Sequence, residues 1–117
     1  MLADKKISDF QWIMKKIWYI SSKEYQEHIW VRHEDSEICD SYDDTTEGFY
    51  ECEGILEDPS DIIISDSQYQ MLKKLYDMVY AYDTSEARPE SDKDIVSDPK
   101  WHEIQKYAKK VYDELQK

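Results

Sequence analysis

A chain of 117 residues with a formal net charge of −12 is long enough for one compact core and too short for two ordinary domains. That acidity sets it against nucleic acid and anionic membranes and towards cationic surfaces, while ten tyrosines and four tryptophans exclude a disordered chain despite a charged fraction of 36%. Two glycines and three prolines supply too few tight turns for a many-stranded barrel or sandwich.

In chain order, Phe10, Ile13, Met14 and Ile17 fall on one stripe, predicting a first helix from Ser8 to about Tyr19, with Ser8 and Gln11 in a capping-box pattern. Ser21 and Glu24 repeat that pattern ahead of a second helix, which carries Tyr25, Ile29 and Trp30 and runs out near His33. From Glu34 to Ser65 the helical period lapses. The stretch GFYECEGILE alternates in part and has room for one or two short strands, and the β-branched Ile62, Ile63 and Ile64 suggest another. Gly48 and Gly54, both in this region, point to turns or to close backbone approach. A third helix begins at Ser65 or Ser67 and carries Tyr69, Leu72, Leu75, Tyr76, Val79 and Tyr82 inward. Thr84 to Val96 reads as a polar connection. The fourth helix has Asp98 as N-cap and Pro99 in its first position, with Trp101, Ile104, Ala108, Val111 and Leu115 recurring at helical intervals. The expected architecture is mainly α. About four helices surround one core in a single domain spanning 1–117, with a long acidic, partly irregular segment between helices two and three.

Charge is concentrated in that segment. Thirteen of the 27 acids lie between Glu34 and Asp66, and no Lys or Arg occurs from His33 to Leu72. The remaining 14 acids face 15 cations, so the rest of the chain carries only +1. Clustering on this scale costs a folded domain through self-repulsion, which argues for a use. Ile38, Tyr42, Phe49, Tyr50, Ile55 and Leu56 interleave with the acids, whereas a merely solvating acidic tract has few aromatics. Such residues pin the segment to the core and hold its carboxylates on a fixed surface.

The motifs of common chemistries are missing from the sequence. Neither glycine belongs to a GxGxxG or P-loop pattern. His28, His33 and His102 have no helical ligand spacing, and Cys39 and Cys52, with twelve residues between them, form no CxxC pair, so no metal site or cofactor is expected. DSYDDTTEGFYE is out of register with a calcium-binding EF-hand loop. A nucleophilic cysteine would sit in a negative field that suppresses its thiolate, and the abundance of carboxylates makes an acid–base pair easy to find and hard to believe. The expectation is that this is not an enzyme. The two cysteines read as reduced thiols. No apolar run approaches the roughly 20 residues of a membrane span, and the start MLADKKISDF has neither an h-region nor a cleavage site. Together these features point to the cytoplasm.

The order of pieces YQEHIW (25–30), SYDDTTEG (41–48), GILEDP (54–59) and DPKW (98–101) resembles small bacterial toxin-immunity proteins of the contact-dependent growth inhibition and polymorphic toxin systems. The resemblance implies a protein that binds and neutralises a cognate basic toxin, of the nuclease class; the acidic charge sets it against nucleic acid and membrane and against self-association through the acidic face, so a monomer is expected when free. On this reading Asp40, Asp43, Asp44, Glu47, Glu51 and Glu53 form the electrostatic part of the interface, and Tyr42, Phe49 and Tyr50 are its anchors. Two alternatives stay open: a nucleic-acid mimic with carboxylates spaced like phosphates, and a carboxylate- or metal-dependent enzyme.

Overall fold

The computed structural model describes residues 2–34, 40–57 and 65–116, with side chains from Phe10 onward. Among the described residues seven α-helices follow in order: α1 (Leu2–Ser21), α2 (Lys23–Tyr25), α3 (Tyr42–Phe49), α4 (Cys52–Glu57), α5 (Asp66–Asp83), α6 (Asp92–Val96) and α7 (Pro99–Leu115). The short α2 continues directly into a π-helical segment, Gln26–Val31. The fold is mainly helical, and no strand occurs among the described residues.

Side-chain caps explain most of the boundaries. Ser22, Ser41, Ser65 and Ser91 each accept a hydrogen bond from the backbone N–H three residues on, and Asp98 accepts from Lys100 N at 3.0 Å. Each cap satisfies one of the donors that the first helical turn leaves without a partner. Ser22 is the cap of α2, one residue later than the sequence suggests, because the Ser21 hydroxyl instead donates back to Trp18 O at 2.7 Å. Ser8 lies inside α1, which starts six residues earlier than its capping pattern implies.

The π segment ends at Val31, and His33, a non-glycine residue two positions on, has a φ of 50°. Glu34 N donates to His28 O across this left-handed turn. The Glu34 carboxylate then bridges His28 Nδ1 and Arg32 Nε, fixing a conformation that L-residues adopt reluctantly.

The buried residues form one cluster. Ile13, Ile17 and Ile20 of α1 meet Trp101, Ile104, Ala108 and Val111 of α7, and Leu72, Leu75 and Val79 of α5 pack on the other side of α7. Full burial of each large aliphatic side chain is worth roughly 1.5–3 kcal/mol, so this three-helix frame dominates stability. α3 lies on α1, α4 touches both α1 and α5, and α6 packs on the π segment.

The region expected to be irregular or stranded between helices two and three holds two helices, α3 and α4. Phe49 ends α3 and Tyr50 caps it, so the partial alternation there marks a helix end and not a strand. The connection from Thr84 to Val96 contains α6, whose Ile95 and Val96 are buried. The triplet 62–64 and Cys39 lie outside the described residues.

Candidate protein-binding surface

Aromatic residues build the interior around polar hubs. Gln26, fully buried, donates through Nε2 to Tyr19 O and Ile20 O, closing the end of α1. Its Oε1 accepts from Trp101 Nε1 at 2.8 Å and from Gln105 Nε2 at 2.7 Å. All of this amide's hydrogen-bonding capacity is used.

Carboxylates serve the remaining rings. One oxygen of Asp40 accepts from Tyr25 OH (2.7 Å), Thr45 Oγ1 (2.7 Å) and Trp30 Nε1 (3.3 Å). Asp83 accepts from Tyr42 OH at 2.8 Å and Tyr50 OH at 2.9 Å, and Asp98 accepts from Tyr82 OH at 2.8 Å. Burial first, and the partner carboxylate second, push the Tyr25, Tyr42, Tyr50 and Tyr82 phenols far above their usual range. They remain donors at any physiological pH. Arg88 lies 5.0 Å from the centre of the Tyr42 ring and 3.9 Å from Asp83, partly balancing that carboxylate. Among the described residues no buried side-chain polar atom lacks a partner.

α3 and α4 separate their residues cleanly by face. Tyr42, Thr45, Thr46 and Phe49 of α3 point inward, as do Cys52 and Ile55 of α4. Asp43, Asp44, Glu47, Glu51, Glu53 and Glu57 are exposed. None of these six makes an ion pair among the described residues. Asp43 and Asp44 also sit in the first turn of α3, where the helix dipole favours negative charge. The result is a set of exposed carboxylates on two short helices and the turn between them, the opposite faces of both helices being locked into the core.

Burial divides the nine residues singled out from the sequence. Asp43, Asp44, Glu47, Glu51 and Glu53 are solvent-facing, and Tyr50 is half-buried. The other three are interior. Asp40 is 8% exposed and holds three donors, so it is a structural acceptor and not a display charge. Tyr42 (1%) is packed among Trp30, Tyr82 and Trp101 with its hydroxyl on Asp83, and Phe49 is 0% exposed. Neither ring offers a partner any surface, and their anchoring role is corrected to core packing. The sequence places Tyr76 on the inward stripe of α5 and does not single out Tyr80; the two bring further rings beside Tyr50. Tyr80 falls off the apolar stripe of α5 and is 54% exposed. A large ring off the stripe was the available signal.

Cys52 is a free thiol with no exposed surface. Burial, with the Glu53 charge second, pushes it up to about 12, so it is inert as a nucleophile at neutral pH. His102 is held at 2.9 Å from Val96 O. Among the described residues no group of three or more His, Cys, Asp or Glu side chains is placed to hold a metal ion, and no helix is long and apolar enough to cross a membrane. A concavity of about 420 Å³ is lined by Trp18, Ser22, Glu24, Tyr25, His28 and Arg32; its Ser22 hydroxyl accepts from Tyr25 N and its His28 Nδ1 is paired with Glu34. No protein-family model, curated protein or solved structure matches the chain.

Proposed function

We propose that this protein is a stoichiometric inhibitor of the toxin-immunity kind, which binds a basic protein of the nuclease class and covers its nucleic-acid-binding surface. The observation that carries the reading is the exposure of Asp43, Asp44, Glu47, Glu51 and Glu53 on α3, α4 and the turn between them, with the inner faces of both helices buried. Rigid display lowers the ordering cost of association. Complementary charge speeds encounter and disfavours wrong partners. A surface selected only for solubility would not concentrate nearly the whole net charge in one stretch of chain.

The test is recovery of partners from the source cells on tagged protein, followed by assay of the partner's nuclease activity. The expected outcome is one basic protein in a 1:1 complex, inhibited stoichiometrically, with inhibition weakened at least about tenfold by the double change Asp43→Asn, Asp44→Asn. Recovery of many basic proteins, all released together as salt rises, would replace this reading with a nucleic-acid mimic.

A further inference from the structure

Among the described residues five rings carry at least one of the protein's own cations. Lys16 Nζ lies 4.3 Å from the centre of Trp12, Lys15 and Lys16 lie over Tyr19, Lys74 over Tyr107, Arg88 over Tyr42 and Lys109 over Tyr112. A cluster of three surface rings carries none among the described residues. Tyr50 follows α3, and Tyr76 and Tyr80 lie one turn apart on α5. Their centroids are separated by 5.6 Å (Tyr50–Tyr76), 6.4 Å (Tyr50–Tyr80) and 6.4 Å (Tyr76–Tyr80). Tyr76 and Tyr80 are parallel to within 4°, and Tyr50 stands edge-on to both. The Tyr50 hydroxyl is tied to Asp83, so the cluster is preorganised.

Negative charge surrounds these rings. Glu53 and Asp77 act on Tyr76, whose phenol is raised by burial first and by Glu53 next. Lys73 and Arg88, the cations beside this group, are engaged with Asp77 at 3.3 Å and Asp83 at 3.9 Å. Glu51 directly follows Tyr50 in the chain, and neither Glu51 nor Glu53 makes an ion pair among the described residues. An aromatic surface in a negative field attracts a cation doubly, through the ring quadrupole and through the carboxylates. A planar guanidinium stacks on a ring and offers its edge to a carboxylate at once, which an ammonium cannot do.

We infer that Tyr50, Tyr76 and Tyr80 form the seat for an arginine side chain of the basic protein partner. This rests on the reading of α3–α4 as the partner-binding face and supplies the aromatic anchor that buried Tyr42 and Phe49 cannot.

The test uses the full chain, isotopically labelled, titrated with tetra-arginine and with tetra-lysine and followed by NMR at about 0.05 M and about 0.2 M salt. The expected result is saturable movement of the Tyr50, Tyr76 and Tyr80 ring resonances and binding of tetra-arginine about threefold to tenfold tighter than tetra-lysine. Tyr80→Ala should remove that preference. Tyr80→Phe, which keeps the ring, should retain it. Tyr80 is largely exposed, so neither change threatens the fold. Equal affinity for the two peptides, or a Tyr80→Ala protein that binds like the parent, would overturn the arginine seat. If the backbone amides of Asp43, Asp44 and Glu47 still respond in that case, the acidic face stands without it. If neither peptide moves those amides, the partner-binding reading has failed together with the seat.

Discussion

Asp40 accepts from a phenol, an indole and a hydroxyl through one oxygen. Hydrogen bonds to a charged group are worth about 1.5–3 kcal/mol each, and a buried donor stripped of its acceptor costs about 1–3 kcal/mol. Asp40→Ala would leave Trp30 Nε1 and Thr45 Oγ1 without that acceptor in the interior. The expected loss of stability is about 2–4 kcal/mol, seen as a lower urea midpoint with an unchanged slope. Asp40→Asn keeps an acceptor oxygen and is expected to lose less than half as much. A parent-like midpoint for Asp40→Ala would mean that the three donors find water and that the hub does not stabilise. The role of Asp40 could not be read from the sequence. In an acidic run one aspartate looks like another, and what distinguishes this one is Tyr25, fifteen residues away, together with the burial of Trp30.

Gly54 offers the clearest opportunity at the level of the helix. It lies inside α4, has no positive φ, and a Cβ built on it meets nothing within 4 Å. Gly54→Ala is therefore expected to raise stability by about 0.5–1 kcal/mol, because alanine loses less backbone freedom on folding. Chemical denaturation of the two proteins side by side measures it, and a loss of stability would show that α4 is not helical in solution. Gly48 differs, since a Cβ there would lie 2.7 Å from Lys16 Cε. The sequence suggests turns or close backbone approach at the two glycines; both lie inside helices, and of the two only Gly48 is closely approached, by the Lys16 side chain. α5 and α7 were legible because many residues repeat one period and a strong cap opens each. α3 and α4 were not, since 8 and 6 residues give barely two turns and their outward positions are filled by the same acids that suggested irregular chain. The π segment has no sequence signature of its own. Its winding is tied to Gln26 and Trp30 reaching hubs that belong to α7 and to Asp40. The exposed half of the candidate surface followed from composition alone, whereas its aromatic part required knowing that α5 lies beside Tyr50.

Across the whole molecule, net charge opposes compaction, and at Asp92 burial first, with the neighbouring Asp43 and Asp40 charges, works against ionisation. Asp92 lies in the first turn of α6, accepts from Tyr42 N at 3.4 Å and is half-buried. Burial raises its pKa, the charges of Asp43 and Asp40 add to the rise, and the Tyr42 N–H and His33 oppose it. A carboxyl whose folded pKa exceeds its unfolded value holds its proton more tightly when folded. Between those two values the folded state binds more protons, so stability falls as pH rises through that window and the deficit persists above it. Asparagine at this position cannot ionise, and its amide oxygen can still accept from Tyr42 N. Asp92→Asn is therefore expected to melt at a higher temperature than the parent at pH 7. The difference should shrink as the pH is lowered through the folded pKa and vanish below about 3.9, the unfolded value. Thermal melts of both proteins from pH 3 to pH 8 provide the check. A constant difference at every pH would assign the gain to packing or to the α6 cap. A parent that is the more stable of the two at pH 7 would mean that the Tyr42 N–H and His33 outweigh desolvation, making Asp92 a stabilising charge.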